Sequence, residues 1–91
     1  EKDETKAVSL LRQAARGGST NAAYQLGVCH ANGIGTKSNA YNAAVAFRRA
    51  AEAGHVEAMR ELGLALRDGK GVRIAKAEAR QWLTKAAAAG S

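Results

Sequence analysis

Cys29 and His30 stand side by side, and a thiol next to an imidazole is the first pairing in this chain that invites a chemical reading. Adjacent residues on a helix point about 100° apart, so this histidine cannot act as base for its neighbouring thiol. The other histidine, His55, lies in a turn, and two histidines with one cysteine are too few for a zinc site. The run Gly33-Ile34-Gly35-Thr36-Lys37-Ser38 has the residue types of a phosphate-binding loop without its spacing. That motif needs four residues between its glycines, a lysine directly after the second, and a strand before it. Here a helical pattern precedes the run, and Gly69-Lys70-Gly71 repeats the turn in phase, as structural punctuation would. Glu57 and Glu61 share a helix face with nothing to set them against a pocket. No catalytic residue, cofactor or metal site is expected, and the chain reads as a non-enzyme.

The charge balance points to partners rather than reactions. Fourteen lysines and arginines against eight acidic residues leave a formal charge of +6, which favours an acidic partner. Arg67, Lys70, Arg73, Lys76 and Arg80 recur through the last third, diluted by Asp68 and Glu78. Helical-repeat proteins can read RNA one base at a time, so an RNA-binding array is the alternative function. Against it, the aromatics are only Tyr24, Tyr41, Phe47 and Trp82, and the last two are expected on the buried side. Nor do matched positions repeat a polar pair: Asn21 meets Glu57, and Tyr24 meets Arg60. Nucleic acid is therefore not the expected partner. Cys29 is the only cysteine, so no intrachain disulfide forms, a weak pointer to the cytoplasm. No signal-peptide pattern is visible, and no apolar run approaches the roughly 20 residues of a membrane span. The opening at Glu1 suggests a piece of a longer chain.

The elements that carry these residues repeat. Gly18, Gly54 and Gly90 are 36 residues apart, as are Ala14, Ala50 and Ala86, and Ala15, Ala51 and Ala87. Ala7, Ala43 and Ala79 keep the same spacing, and Leu11, Phe47 and Leu83 keep it in apolar character. Aligning residues 19–54 with 55–90 gives ten identities without a gap, Leu26/Leu62, Gly27/Gly63, Gly33/Gly69 and Gly35/Gly71 among them. Residues 1–18 match the second half of the unit, so the domain divides into a partial repeat (1–18), a full repeat (19–54) and a second full repeat (55–91).

Each unit reads as two helices. Ala22, Leu26, Cys29 and His30 make one face of a helix over about residues 21–32, with Thr20 as its cap and Gly33 and Gly35 as its stop. A second helix runs from about Ala40 to Ala53, capped by Asn39 or Ser38, with Ala43, Phe47, Ala50 and Ala51 as its buried stripe. The next unit repeats this over residues 56–68 and 76–89. Asp3 takes the cap position of the leading helix, whereas Ala75 fails to keep it. Gly27 and Gly63, inside helices at a cost of about 1 kcal/mol against alanine, imply close helix crossings, with the alanines at 50, 51, 86 and 87 facing them. One helix pair cannot bury its own stripe, so neighbours must stack into an all-α solenoid of five helices.

With Ala58, Leu62, Gly63, Gly69, Gly71, Val72, Ala79, Trp82, Lys85, Ala86, Ala87 and Gly90 in place, the chain resembles the Sel-1-like repeat, a branch of the tetratricopeptide-repeat superfamily. Departures are His30 and Leu66 where that family usually has tyrosine, and Asn39 and Ala75 where it often has aspartate. The resemblance implies a right-handed α-α solenoid and a scaffold or adaptor that binds a partner protein. Such proteins serve in ubiquitin-ligase complexes, as activators of membrane enzymes and as bacterial host-interaction factors. It also implies that the first helix of each repeat lines a concave groove. Asn21, Tyr24, Val28 and Ala31 would then face a partner in one repeat, and Glu57, Arg60, Leu64 and Arg67 in the next. Tyr24, Arg60 and Arg67 are the expected anchors for a segment with an acidic residue, tyrosine and arginine being enriched in binding hot spots. Both ends lack a polar capping helix, which makes self-association through them a further expectation.

Overall fold

The computed structural model describes residues 2–90. Among them are five helices and no strand: α1 (Lys2–Arg16), α2 (Thr20–Asn32), α3 (Ala40–Glu52), α4 (Val56–Asp68) and α5 (Lys76–Ala88). α1 packs on α2, α2 on α3, α3 on α4 and α4 on α5, so the stack follows chain order. The result is a short rod with extents of 40 × 22 × 18 Å. No helix among the described residues is long and apolar enough to cross a membrane.

Helix ends follow the repeat, with three corrections to the sequence reading. Ser19, not Thr20, caps α2: its hydroxyl accepts from the Ala22 amide at 3.1 Å. Thr20 is already helical, because the residue after the Gly17-Gly18 turn is the one with extended backbone. Thirty-six residues on, His55 holds the same place, and its Nδ1 accepts from the Ala58 amide at 3.1 Å. Asn39 caps α3 as expected, accepting from the Asn42 amide at 2.9 Å, while α5 starts at Ala75 with no side-chain cap. The leading helix runs back to Lys2, so Asp3 lies inside it, its side chain outside the described residues.

The loop inside each repeat explains its second glycine. Gly71 has φ +77°, and a Cβ there would run into the backbone of Ala40 at the start of α3. Gly35 stands in the same relation to Glu4 of α1. The turn of one repeat therefore rests directly on the second helix of the repeat before, and only glycine has both the conformation and the room.

The core is mostly alanine, with Phe47, Leu62 and Leu66 filling the larger gaps. Ala22, Ala43, Ala50, Ala51, Ala58 and Ala79 are buried, which lets the helices approach closely. The helical glycines work differently from expectation. A Cβ on Gly27 would sit 2.6 Å from Cε1 of Phe47, and one on Gly63 2.7 Å from Cγ of Leu83. The partners across these crossings are large side chains, not alanines, and each glycine is a hollow that receives one. Trp82, expected on the buried side, is only half-buried; its indole Nε1 donates to Glu78 Oε2 at 3.2 Å, and Lys85 Nζ lies 5.3 Å from the ring centroid. Cys29 is likewise half-buried, at the edge of its stripe.

At the ends the repeat's own pattern is left uncovered. Ala7 and Ala14 of α1 are exposed, though their counterparts Ala43, Ala50, Ala79 and Ala86 are buried. Leu10 is 59% exposed on the same helix. Ala87 of α5 is exposed where Ala15 and Ala51 are buried.

Candidate functional site

Where α2 and α4, the first helices of the two full repeats, run side by side over α3, they leave an open cleft of about 260 Å³. Its floor is apolar: Ala40, Ala43, Ala44 and Phe47 of α3. One wall carries Ala31 of α2 and Ser38 beyond it; the other carries Glu61, Leu64, Ala65 and Asp68 of α4, with Lys70 following. Of the eight residues the sequence reading set in the groove, Ala31 and Leu64 line this cleft directly. Tyr24 and Val28 are half-buried and pack against the main core, and Asn21, Glu57, Arg60 and Arg67 are exposed.

Tyr24 is built into the crossing between the repeats. Its ring stacks on His55 with centroids 4.4 Å apart and planes 17° apart, and meets Phe47 at 5.7 Å and 46°. Burial raises the phenol above its usual pKa, and the carboxylates of Glu57 and Glu61 add to that, with Arg60 opposing. These charges all sit on α4, so the phenol of α2 faces across to α4. Its hydroxyl has no hydrogen-bond partner among the described residues and remains a free polar handle beside an apolar floor.

The two arginines differ. Arg60 is exposed and makes no ion pair among the described residues. Arg67 donates from Nε and Nη2 to both carboxylate oxygens of Asp68, at 2.9 and 3.1 Å. This bond holds Asp68 below the usual carboxylate range and raises Arg67. An incoming carboxylate competes with Asp68 for the Nε and Nη2 edge of Arg67 and finds only its remaining N–H groups open. The sequence reading missed Glu61 and Asp68 as cleft residues and took Asp68 as dilution of a basic run. The signal was available, since Glu61, Leu64, Ala65 and Asp68 lie at i, i+3, i+4 and i+7, one face of a helix.

Burial pushes the Cys29 thiol up, with Glu4 adding to it, so the thiolate is disfavoured. His30 is buried and makes no hydrogen bond to Cys29; burial, then the charge of Arg12, lowers its pKa. Among the described residues, no three His, Cys, Asp or Glu side chains come together as a metal site would require.

Comparison with known proteins agrees with this architecture. The family model described as "Sel1 repeat" matches residues 1–19, 20–55 and 56–91. A Sel1 repeat protein from Oxalobacter formigenes superimposes with a TM-score of 0.86 at 34% identity, over 91% of this chain and 63% of that one. A protective antigen present in uropathogenic Escherichia coli strains, which displays an SLR fold, gives 0.92 at 34%, over 96% of this chain and 19% of that one. Cysteine rich protein B of Helicobacter pylori gives 0.86 at 27%, over 92% and 63%. The chain thus spans less than two thirds of the length of each of these structures. Comparison with curated proteins finds no match.

Proposed function

Because the chain belongs to the Sel1 repeat family, whose solenoids are generally protein-interaction modules and non-enzymatic scaffolds, we propose that it holds a partner's peptide segment in the cleft between α2 and α4. The observation that carries this reading is an open apolar floor on α3 between α2 and α4, with uncommitted polar groups on those same two helices. Ala43, Ala44, Phe47 and Leu64 offer apolar contact, while the Tyr24 hydroxyl and the Arg60 guanidinium are not engaged by the described residues. A segment presenting an apolar side chain to the floor and an acidic one to Arg60 satisfies both. Glu61 and Asp68 on the same wall disfavour a densely acidic segment, so one carboxylate set beside apolar residues fits better.

The test is affinity capture with this chain, identification of the bound protein, and binding measurements with Tyr24→Phe, Leu64→Ala and Arg60→Ala, each checked for parental helicity and melting. The expected result is weaker binding for all three, with the Arg60→Ala loss shrinking as salt rises. Undiminished binding, with loss on changing exposed residues of α1 or the outer sides of α3 and α5, would overturn the assignment. An RNA-binding array would show instead as homopolymer affinity that falls steeply with salt.

A further inference from the structure

On the opposite face from the peptide cleft, α1 and α3 lie side by side over α2 and enclose a second cleft of about 290 Å³. Arg12 and Arg16 of α1 and Arg49 and Asn42 of α3 line it, and His30 of α2 lies beneath. None of the three arginines makes an ion pair among the described residues, and no carboxylate lines the cleft. His30 is 7% exposed, and its Nδ1 has no hydrogen-bond partner among the described residues. The guanidiniums above it are exposed and reachable from solvent, whereas a buried imidazole nitrogen without a partner carries a desolvation cost.

The repeat supplies its own control. Thirty-six residues on, Arg12, Arg16, His30, Asn42 and Arg49 become Arg48, Glu52, Leu66, Glu78 and Lys85. There two carboxylates stand against two bases, and Glu78 Oε2 accepts from Arg48 Nη1 at 2.9 Å while also receiving the Trp82 indole. Apolar Leu66 replaces the histidine, and Trp82 replaces Ala46. One repeat therefore provides its own anion beside a larger side chain. The other substitutes asparagine for the glutamate, adds an arginine, keeps a polar floor and leaves the cleft open.

We propose that the cleft of Arg12, Arg16, Asn42, Arg49 and His30 is a binding site for a phosphate-class oxyanion. Two charges supplied internally in one repeat are absent from the other, and a dianion restores them as a single group. Planar guanidiniums give paired N–H donors matched to phosphate oxygens, and the Asn42 amide adds a neutral donor. The phosphoryl group arrives either as free phosphate or on a phosphorylated side chain. This site is separate from the peptide cleft, and neither reading depends on the other.

The experiment is a titration of the 91-residue chain with inorganic phosphate at constant ionic strength, following the His30 imidazole and arginine side chains by NMR. Parallel titrations use chloride, acetate, a phosphoserine peptide and its unphosphorylated form, and a single-stranded RNA oligonucleotide. Saturable phosphate shifts centred on His30 are expected, with Arg12→Gln and Arg49→Gln each weakening affinity by about tenfold or more, the scale of one charge-assisted hydrogen bond. Arg73→Gln, an exposed arginine outside both clefts, leaves it unchanged. Asn42→Glu restores the internal carboxylate, abolishes phosphate binding and melts no lower than the parent. A phosphoserine peptide stronger than free phosphate identifies a presented phosphoryl group; equal affinity identifies the free anion. Equal shifts with chloride or acetate, phosphate binding retained in Asn42→Glu, or RNA binding in preference to both phosphate probes would each overturn the proposal.

Discussion

Gly27→Ala is the smallest change that tests how these helices fit together. An ideal Cβ at position 27 falls 2.6 and 2.7 Å from Cε1 and Cδ1 of Phe47 and 3.1 Å from its Cγ. Ordinary carbon contacts lie at about 3.5–4.0 Å, so the ring must retreat by roughly 1 Å. Phe47 is buried in the main cluster with Tyr24 against it at 5.7 Å, so its retreat is limited to the side that floors the open cleft and costs contacts in the cluster. Overpacking of this kind costs roughly 1–3 kcal/mol, and replacing glycine with alanine in a helix returns about 1 kcal/mol. The net loss is about 1 kcal/mol, a lowering of Tm by about 4–8 °C in a domain of this size. Gly63→Ala behaves differently, because the atoms at 2.7 and 2.8 Å belong to Leu83, a half-buried side chain that can turn aside. Only the Ala79 carbonyl, at 3.2 Å, needs to yield by a few tenths of an ångström. That substitution should be close to neutral. Gly27→Leu and Gly63→Leu exceed what either neighbour can absorb, and both should fall at the upper end of the overpacking range, about 3 kcal/mol. Thermal melts and urea titrations followed by circular dichroism give the values. A Gly27→Ala/Phe47→Leu pair should recover part of the loss, since the two residues share one contact. Gly27→Ala melting at or above the parent, or no recovery in the pair, would refute the account of glycine as a receiving hollow.

Three other outcomes follow from single contacts. His55→Ala removes the α4 cap and the stacked partner of Tyr24 and should lower stability by about 1–2 kcal/mol; His55→Ser should recover most of the cap's share, as paired melts will show. Burial and Arg12 hold the pKa of His30 below its usual value, so its neutral form favours the fold. That contribution is fully present above the unfolded pKa of about 6.5 and is lost as pH falls through the lower folded value. Urea midpoints from pH 7.5 down to 5 should therefore decline, and His30→Gln should flatten the decline. Glu78→Gln weakens the bond to Arg48 that ties α5 to α3 and removes the influence that holds this carboxyl below its usual range. With both side chains 38% exposed, the expected cost is up to about 1 kcal/mol, diminishing with salt in denaturation midpoints.

The number, order and boundaries of the helices were legible because glycine, alanine and leucine recur at a fixed interval, and phase outweighs the identity of any single residue. The caps were less legible. Thr20 looks like a better cap than its neighbour in isolation, yet the 36-residue register pairs Ser19 with His55, and register is what the turn obeys. Histidine at a cap escapes a search for hydroxyls and carboxylates, although a neutral imidazole nitrogen accepts just as they do. The partners of Gly27 and Gly63 were hidden for another reason: spacing shows that a helix needs a small residue, not what presses on it. At the candidate cleft, helical spacing marked residues of α2 and α4 that flank the buried stripe, of which Ala31 and Leu64 line it. Spacing could not show that Asp68 already holds Arg67, because neighbouring residues reach each other only through a particular rotamer pair.

The two full repeats separate what builds the solenoid from what can distinguish one partner from another. Positions that agree between them, such as Leu26 and Leu62 or Ala50 and Ala86, are buried at helix crossings, where one missing or added methylene costs stability. Most other positions differ between the repeats, some of them on the clefts. Tyr24 aligns with Arg60, and His30 and Asn42 of the outer cleft align with Leu66 and Glu78. On the outer side of one repeat Glu78 pairs with Arg48, while the cleft of the other keeps three arginines and a histidine whose Nδ1 has no partner among the described residues. Exchanging Asn42 and Glu78 tests this directly. The double variant, Asn42→Glu with Glu78→Asn, should keep the fold within about 1 kcal/mol of the parent, because each substitution changes one partly exposed ion pair. It should also abolish the oxyanion site at α1 and α3. If the swap instead unfolds the chain, these residues belong to the structural repeat, and the contrast between the two outer clefts reflects packing rather than recognition.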